Sequence, residues 1–293
     1  MIIMFIFIQC EIETRAQQTI ISEDTTWTLG NSPYIITGNV LVEHGATLTI
    51  EPGVKVKFDG FYYMQIEGKL VAEGTENNMI TFTSNKDSPA PKDWRSIKFM
   101  KNADYGSSFK YCKIEYAYTG IVLDDIIFYA APNITNSIIQ DNSWGGIEYY
   151  TSGDSTINSN KQITNNTIMN TAEGHSIDIH FYVNSANASL LVSNNLVKYN
   201  VGNAIACTSN EGSMILSNNI IIKNDCPGIV CHGDNVSIKY NLIAGNEGPG
   251  IVIAGAERDT YLIEHNTILN NSDSNDKYGG GINFEQHEYT TNI

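Results

Sequence analysis

The sequence predicts an all-β fold, a right-handed parallel β-helix in which one chain winds into a solenoid of short stacked coils. Three observations lead there. A short segment recurs seven times from residue 109 onward, asparagine returns at fixed places within it, and no long stretch spaces its apolar residues as a helix requires. The balance of 24 glycines to 7 prolines suits many short strands joined by tight turns.

The copies open with Phe109-Lys-Tyr-Cys-Lys-Ile, Ile134-Thr-Asn-Ser-Ile-Ile, Ile163-Thr-Asn-Asn-Thr-Ile, Val192-Ser-Asn-Asn-Leu-Val, Leu216-Ser-Asn-Asn-Ile-Ile, Ile238-Lys-Tyr-Asn-Leu-Ile and Ile263-Glu-His-Asn-Thr-Ile. Their starts lie 25, 29, 29, 24, 22 and 25 residues apart. The fourth position is Asn in five copies: Asn166, Asn195, Asn219, Asn241 and Asn266. Five residues on, Asn recurs at 142, 200, 224, 246 and 271. A small residue followed by Ile comes next, as in Gly146-Ile147, Ser176-Ile177, Ala204-Ile205 and Gly228-Ile229.

Strands this short cannot bury a face alone. Stacked about 4.8 Å apart, they pair along the axis and line up Leu216, Ile221, Ile229 and Cys231 as inward ladders. The first Asn set reads as an internal ladder. Asn tolerates the left-handed backbone of a tight turn, and its amide can bond the same amide in the next coil.

Residues 19–108 follow the same plan with different residues. Val40-Leu-Val, Ala46-Thr-Leu-Thr-Ile50, Val54-Lys-Val-Lys-Phe58 and Ile80-Thr-Phe-Thr83 alternate with period two between Gly-bearing turns. This segment is predicted to hold the first coils and an N-terminal cap, with residues 84–94 as a protruding loop. Residues 109–293 hold the later coils. The chain ends at Glu285-Gln-His-Glu-Tyr-Thr-Thr-Asn-Ile293, soon after a Gly-Ile strand. An uncovered last coil invites aggregation. The expectation is therefore truncation, a continuation into further coils or an anchoring module, or a fold-back of the last residues as a cap.

Residues 1–18 read as a signal-peptide-like segment. Eight apolar or Met residues precede Thr14-Arg15-Ala16, too few to span a bilayer, and no later stretch looks transmembrane. The expected location is secreted, extracellular or cell-surface. A net charge of −15 with three arginines excludes the basic footprint of a nucleic-acid binder. Five cysteines are too few for a disulfide scaffold, and none shows metal-ligand spacing. Cys207 and Cys231 fall at the same inward position in adjacent copies, where either a disulfide or two small apolar thiols would fit; free thiols are the expectation. Cys112 occupies an Asn-ladder position.

The segments Leu48-Thr-Ile-Glu-Pro-Gly-Val-Lys-Val, Trp94-Arg-Ser-Ile-Lys-Phe and Tyr111-Cys-Lys-Ile-Glu-Tyr-Ala resemble secreted bacterial β-helix proteins. The later copies resemble the parallel β-helix repeats of the pectin-lyase-like superfamily. This resemblance covers nearly all of the chain beyond residue 20. It implies the fold but no single function, since the superfamily holds lyases, hydrolases, epimerases and non-catalytic surface proteins.

Related enzymes work in a groove along one sheet, so the outward row beside the Gly-Ile positions is the place to look. Alternation sends Glu148 and Tyr150 outward, and Asp178 and His180 outward one copy later. Asp124 falls in the Tyr150 row one copy earlier. Glu148, Asp178 and His180 are the candidate catalytic groups, because two close carboxylates push their pKa values apart. Tyr150, Asp124 and Trp144 are candidate substrate-binding groups. Glu148 and Asp178 could hold Ca²⁺; no other cofactor is expected. The inserts Thr151–Gln162 and Phe181–Leu190 could wall a cleft there.

Against catalysis, no Arg or Lys is placed in that row, whereas the polyuronate lyases this resembles need one. The following copies bring Ala206, Val230 and Val252 instead. Gly174-His175-Ser176 and Asp124-Asp125 resemble polygalacturonase elements whose companions are missing. Asp178-Ile-His180 resembles the Asp-Pro-His of alginate epimerases without its Pro. The expectation is a non-catalytic carbohydrate-binding or structural and adhesive protein, with a polysaccharide lyase, hydrolase or epimerase as the alternative. A polysaccharide or cell-surface glycan is the expected partner. Among the tryptophans, Trp27, Trp94 and Trp144 could stack sugars, and Trp144 before Gly145-Gly146 is the one singled out.

Overall fold

The computed structural model describes residues 18–152, 160–183, 186–255, 260–272 and 280–285. Residues 1–17 of the signal-like segment and the terminal 286–293 lie outside these. Among the described residues the chain is an all-β solenoid of three parallel sheets, as the repeat predicts. The first sheet has eleven strands, from Thr19–Ile21 to Ile282–Phe284. The second and third have ten each, from Thr25–Trp27 to Tyr261–Glu264 and from Tyr34–Ile36 to Thr267–Leu269. Each coil supplies one strand to each sheet in turn, so every third strand is a neighbour. Thr19–Ile21 already pairs in parallel with Val40–Val42, so residues 19–36 form the first described coil. No helix there is long and apolar enough to cross a membrane.

Three-sided coils put alternate residues of each short strand inside. Leu216, Ile221, Ile229 and Cys231 are fully buried, as the pattern predicts. The early coils fill the lumen with aromatics instead. Phe58 stacks on Trp94 at 4.1 Å, and Phe109 meets Phe82 and Phe99 edge to face. The protruding loop before Trp94 is pinned by Asp93, which accepts from Ser84 Oγ and the Ala90 N–H and pairs with Lys86 at 2.6 Å.

Two internal amide ladders hold the corners on either side of the third sheet. At the first, Asn195 shows the unit. Its N–H and its Nδ2 both donate to Asn219 Oδ1 at 3.0 Å in the next coil, and Nδ2 also donates to the Ile163 carbonyl at 2.8 Å. The chain runs Asn166, Asn195, Asn219, Asn241, Asn266, with Ser137 and Cys112 in the same place one and two coils earlier. The second ladder runs Asn200, Asn224, Asn246, Asn271.

One detail differs from expectation. The left-handed backbone falls on the residue before each ladder Asn, at Asn165, Asn194, Asn218, Tyr240 and His265, with φ between 55° and 59°. The turn points that preceding side chain outward and aims the next one in, so the ladder Asn keeps an ordinary backbone while its amide reaches the buried carbonyls.

The second ladder is broken at Thr171, which stands between Asn142 and Asn200. The Thr171 N–H still donates to Asn200 Oδ1, but Asn142 Nδ2 is buried without a partner. Thr171→Asn should supply the missing acceptor and stabilise the protein by about 1 kcal/mol. A urea or thermal titration checks it, and a variant no more stable than wild type refutes the ladder's role there.

Cys207 and Cys231 form a disulfide between adjacent strands of the first sheet, with Cα atoms 4.8 Å apart. This corrects the expectation of free thiols: in-register parallel stacking sets the two side chains on one inward row, within bonding reach. Cys112 and Cys226 are free and buried.

Candidate functional site

The outward face of the first sheet has the register the alternation predicts. Glu148 lies opposite Asp178 and Tyr150 opposite His180, while Ile147 and Tyr149 are buried inside. The Tyr150 hydroxyl donates to Asp178 Oδ2 at 2.7 Å, and His180 Nε2 sits 3.5 Å from Asp178 Oδ1. The Tyr150 and His180 rings stack at 4.3 Å and 10°, with Tyr182 tilted against His180. Thr119 Oγ1 donates to Glu148 Oε1 at 3.2 Å from one coil earlier. Two stacked rings thus clamp one carboxylate between a phenol and an imidazole.

The two carboxyls are displaced in opposite senses. Burial raises the Glu148 pKa, and the charges of Asp178 and Asp124 add to this against the Thr119 hydrogen bond and Lys98. At Asp178 burial also pushes upward, but hydrogen bonds from His180 and Tyr150 and the charges of His180 and His175 outweigh it, so its pKa falls. The Tyr150 phenol is raised by burial and by its bond to Asp178. A raised carboxyl holds its proton more tightly folded than unfolded, so ionised Glu148 costs stability once pH climbs above the ordinary glutamate value of about 4.3. Glu148→Gln should therefore melt a few degrees above wild type at pH 7 and level with it at pH 3.5. Asp178 has the opposite sign: its contribution is full above about 3.9 and is lost as pH falls through its lowered folded value. A Glu148→Gln melting temperature that does not outgrow wild type between the two pH values contradicts the burial of that carboxyl.

Two expectations about the surroundings change. Lys98 belongs to the Glu148 row after all, two coils earlier with Val122 between, because Ser96–Phe99 pairs with Thr119–Ile127 and that with Gly145–Ser152. The Asn signature that marks the copies is missing from this early coil, although Ser96-Ile97 carries the same small-residue-plus-Ile signature. Lys98 Nζ pairs with Asp124 at 2.7 Å. Asp124 follows the point where the register shifts, after Leu123, and acts on the patch only through its charge. The row then runs from Asp178 into Ala206, Val230 and Val252, and the neighbouring row from His180 into Thr208 and His232.

A Ca²⁺ site does not fit these residues. Calcium takes six to eight oxygens, yet among the described residues no group of three or more His, Cys, Asp or Glu could hold a metal. Both Asp178 oxygens are already engaged. The inserts expected to wall a cleft carry 153–159 and 184–185, which are outside the described residues.

Trp27 and Trp94 are buried, the first stacked on Tyr34 and the second on Phe58. Trp144 is 45% exposed and stacks on Tyr118 from the previous coil at 6.1 Å and 13°. The sequence signal for that pair is one of register: each aromatic stands two residues before its coil's Gly-Ile.

Residues 19–120 match the pectate-lyase-like beta helix domain, and residues 157–292 the right handed beta helix region. This chain is a pectin-lyase-like β-helix protein. No curated protein matches the sequence. Among solved structures, the β-helix is similar to the periplasmic alginate epimerase AlgG at 13% identity, TM-score 0.44, over 93% of this chain and 85% of that one. It is also similar to the A-module of the mannuronan C-5 epimerase AlgE4 of Azotobacter vinelandii at 12% identity, TM-score 0.41, over 93% and 88%. At that distance neither likeness bears on what the β-helix of this chain does.

Proposed function

We propose that this β-helix is an extracellular or cell-surface protein that binds a glycan on the outward face of its first sheet without turning it over. The supporting observation is the closed state of Asp178. Its two oxygens are taken by the Tyr150 phenol and the His180 imidazole, which fixes a rigid hydrogen-bonding surface. Such preorganisation favours binding. It also keeps the Tyr150 phenol protonated, so that group is no base at neutral pH. A glycan array followed by calorimetry, with turnover screens on uronate and neutral polysaccharides in parallel, tests the reading. Binding without product is expected; release of shortened, unsaturated or epimerised sugar overturns it.

The opposite displacement of the Glu148 and Asp178 pKa values favours a second reading, a polysaccharide-active enzyme. A carboxyl that holds its proton more tightly beside one that holds it less tightly is the kind of pairing that acid–base chemistry uses. Under this reading Asp178→Asn abolishes turnover while the fold persists, and an active preparation indifferent to that change excludes the site.

A further inference from the structure

Beside the carboxylate face lies an exposed aromatic row. Phe61, Tyr118 and Trp144 line one corner of the solenoid, Phe61 being 51% and Trp144 45% exposed. Phe61 meets Tyr118 edge to face at 6.4 Å, and Tyr118 stacks on Trp144. The Trp144 N–H donates to the Tyr118 carbonyl and the Tyr118 N–H to the Trp94 carbonyl, both at 2.7 Å, which places Tyr118 and Trp144 on successive coils, with Phe61 two coils before Tyr118 and buried Trp94 between them.

In the coil after Trp144 the row loses its side chains. A Cβ on Gly174 would lie 2.2 Å from the Trp144 carbonyl oxygen and 3.2 Å from the indole, and one on Gly202, a coil further, 2.2 Å from the Gly174 carbonyl. Only glycine fits either place, and the ring edge of Trp144 therefore opens onto a bare floor two coils long. Thr119, Glu148 and His175 stand on the strands and turns alongside, supplying hydroxyl, carboxyl and imidazole groups.

We propose that this shelf and floor form a binding lane for a neutral polysaccharide of equatorially substituted pyranose rings, lying along the solenoid axis with one ring on Trp144 and Tyr118. This rests on the glycan-binding reading above and names its ligand class. Such rings present a flat face of C–H groups that stacks on an aromatic side chain, while their hydroxyls point sideways to polar neighbours. Coil spacing sets the aromatic groups at intervals close to one ring length. Charge selects the class. The net charge is −15 and Glu148 and Asp178 border the lane, while Lys98 is paired with Asp124 and Lys92 and Arg95 are drawn onto the rings of Tyr118 and Tyr63 at 5.6 Å and 5.7 Å. A polyanion would meet repulsion there that an uncharged chain does not.

The test is calorimetry and intrinsic fluorescence with cellohexaose, laminarihexaose and xylohexaose, against polygalacturonate as the charged comparator. Trp27 and Trp94 are buried, so a ligand-induced change in emission reports Trp144. At least one neutral hexasaccharide should bind with a fluorescence change, and polygalacturonate more weakly. Trp144→Ala should weaken that binding about tenfold or more and Trp144→Phe much less, with melting temperature unchanged because the side chain is half exposed. Wild-type binding that Trp144→Ala leaves intact overturns the lane but not the glycan-binding reading. Preference for polygalacturonate overturns the ligand class. Binding to none of the four probes while an array shows other glycans held also overturns the lane; a blank array as well sinks both readings.

Discussion

Asn219→Ala should cost about 4 kcal/mol of stability and lower the melting temperature by roughly 10 °C. Asn219 is completely buried in the middle of the first ladder. Its Oδ1 accepts from both the N–H and the Nδ2 of Asn195, and its Nδ2 donates to the Val192 carbonyl and to Asn241 Oδ1. Truncation takes these partners from the Asn195 N–H and the Val192 carbonyl, each costing about 1–3 kcal/mol, while Asn195 Nδ2 keeps the Ile163 carbonyl and Asn241 Oδ1 keeps the Asn219 N–H. Asn219→Asp should be no rescue, because it keeps the acceptor, loses the donor and buries a charge. The neighbouring Asn218→Gly is the control. Asn218 is exposed at φ 55°, a conformation glycine adopts freely, so stability should stay within about 0.5 kcal/mol. Equal losses in Asn219→Ala and Asn218→Gly would mean that the corner tolerates any change alike and that the ladder carries no weight.

Reducing the Cys207–Cys231 bond should destabilise the protein by about 3.5 kcal/mol, the loop-closure value for the 24-residue separation. The double variant Cys207→Ala, Cys231→Ala should melt at the same temperature as reduced wild type, within the small difference between thiol and methyl. Mass spectrometry after alkylation under denaturing, non-reducing conditions should label two cysteines, Cys112 and Cys226, among residues 18–285. Four labelled cysteines would remove the bond. A bonded pair in the core also fits an oxidising compartment, in keeping with the extracellular reading.

Much of this fold is legible in the residues. Seven copies with Asn at one place and a small residue plus Ile at another fix the coil length, the inward rows and the stacking of Glu148 on Asp178, because strand alternation leaves no other arrangement. What stays hidden has physical reasons. The left-handed corner residues include Tyr111, Tyr240, His265 and Lys223, types without turn preference. The buried amide that follows, not their own chemistry, sets their backbone. Cys207 and Cys231 are adjacent in any β-helix reading, but adjacency suits a thiol pair as well as a bond. Lys98 escapes because the early coils lack the Asn signature. The clamp of Tyr150 and His180 on Asp178 depends on side-chain rotamers, which register alone does not specify.

The two amide ladders have a consequence for where the chain can change length. From a ladder Asn through the third sheet to the next Gly-Ile strand the path hardly varies: Asn195 to Ile205, Asn219 to Ile229 and Asn241 to Ile251 are equal. From the first sheet onward to the next ladder it varies widely, Ile147 to Asn166 being half as long again as Ile229 to Asn241. Between Ser137 and Ile251 growth is thus concentrated at one seam of the cylinder, the edge next to Tyr150 and His180. A foreign segment spliced into that seam would leave the amide columns in register, which makes it the place to graft new recognition loops beside a face that does not move.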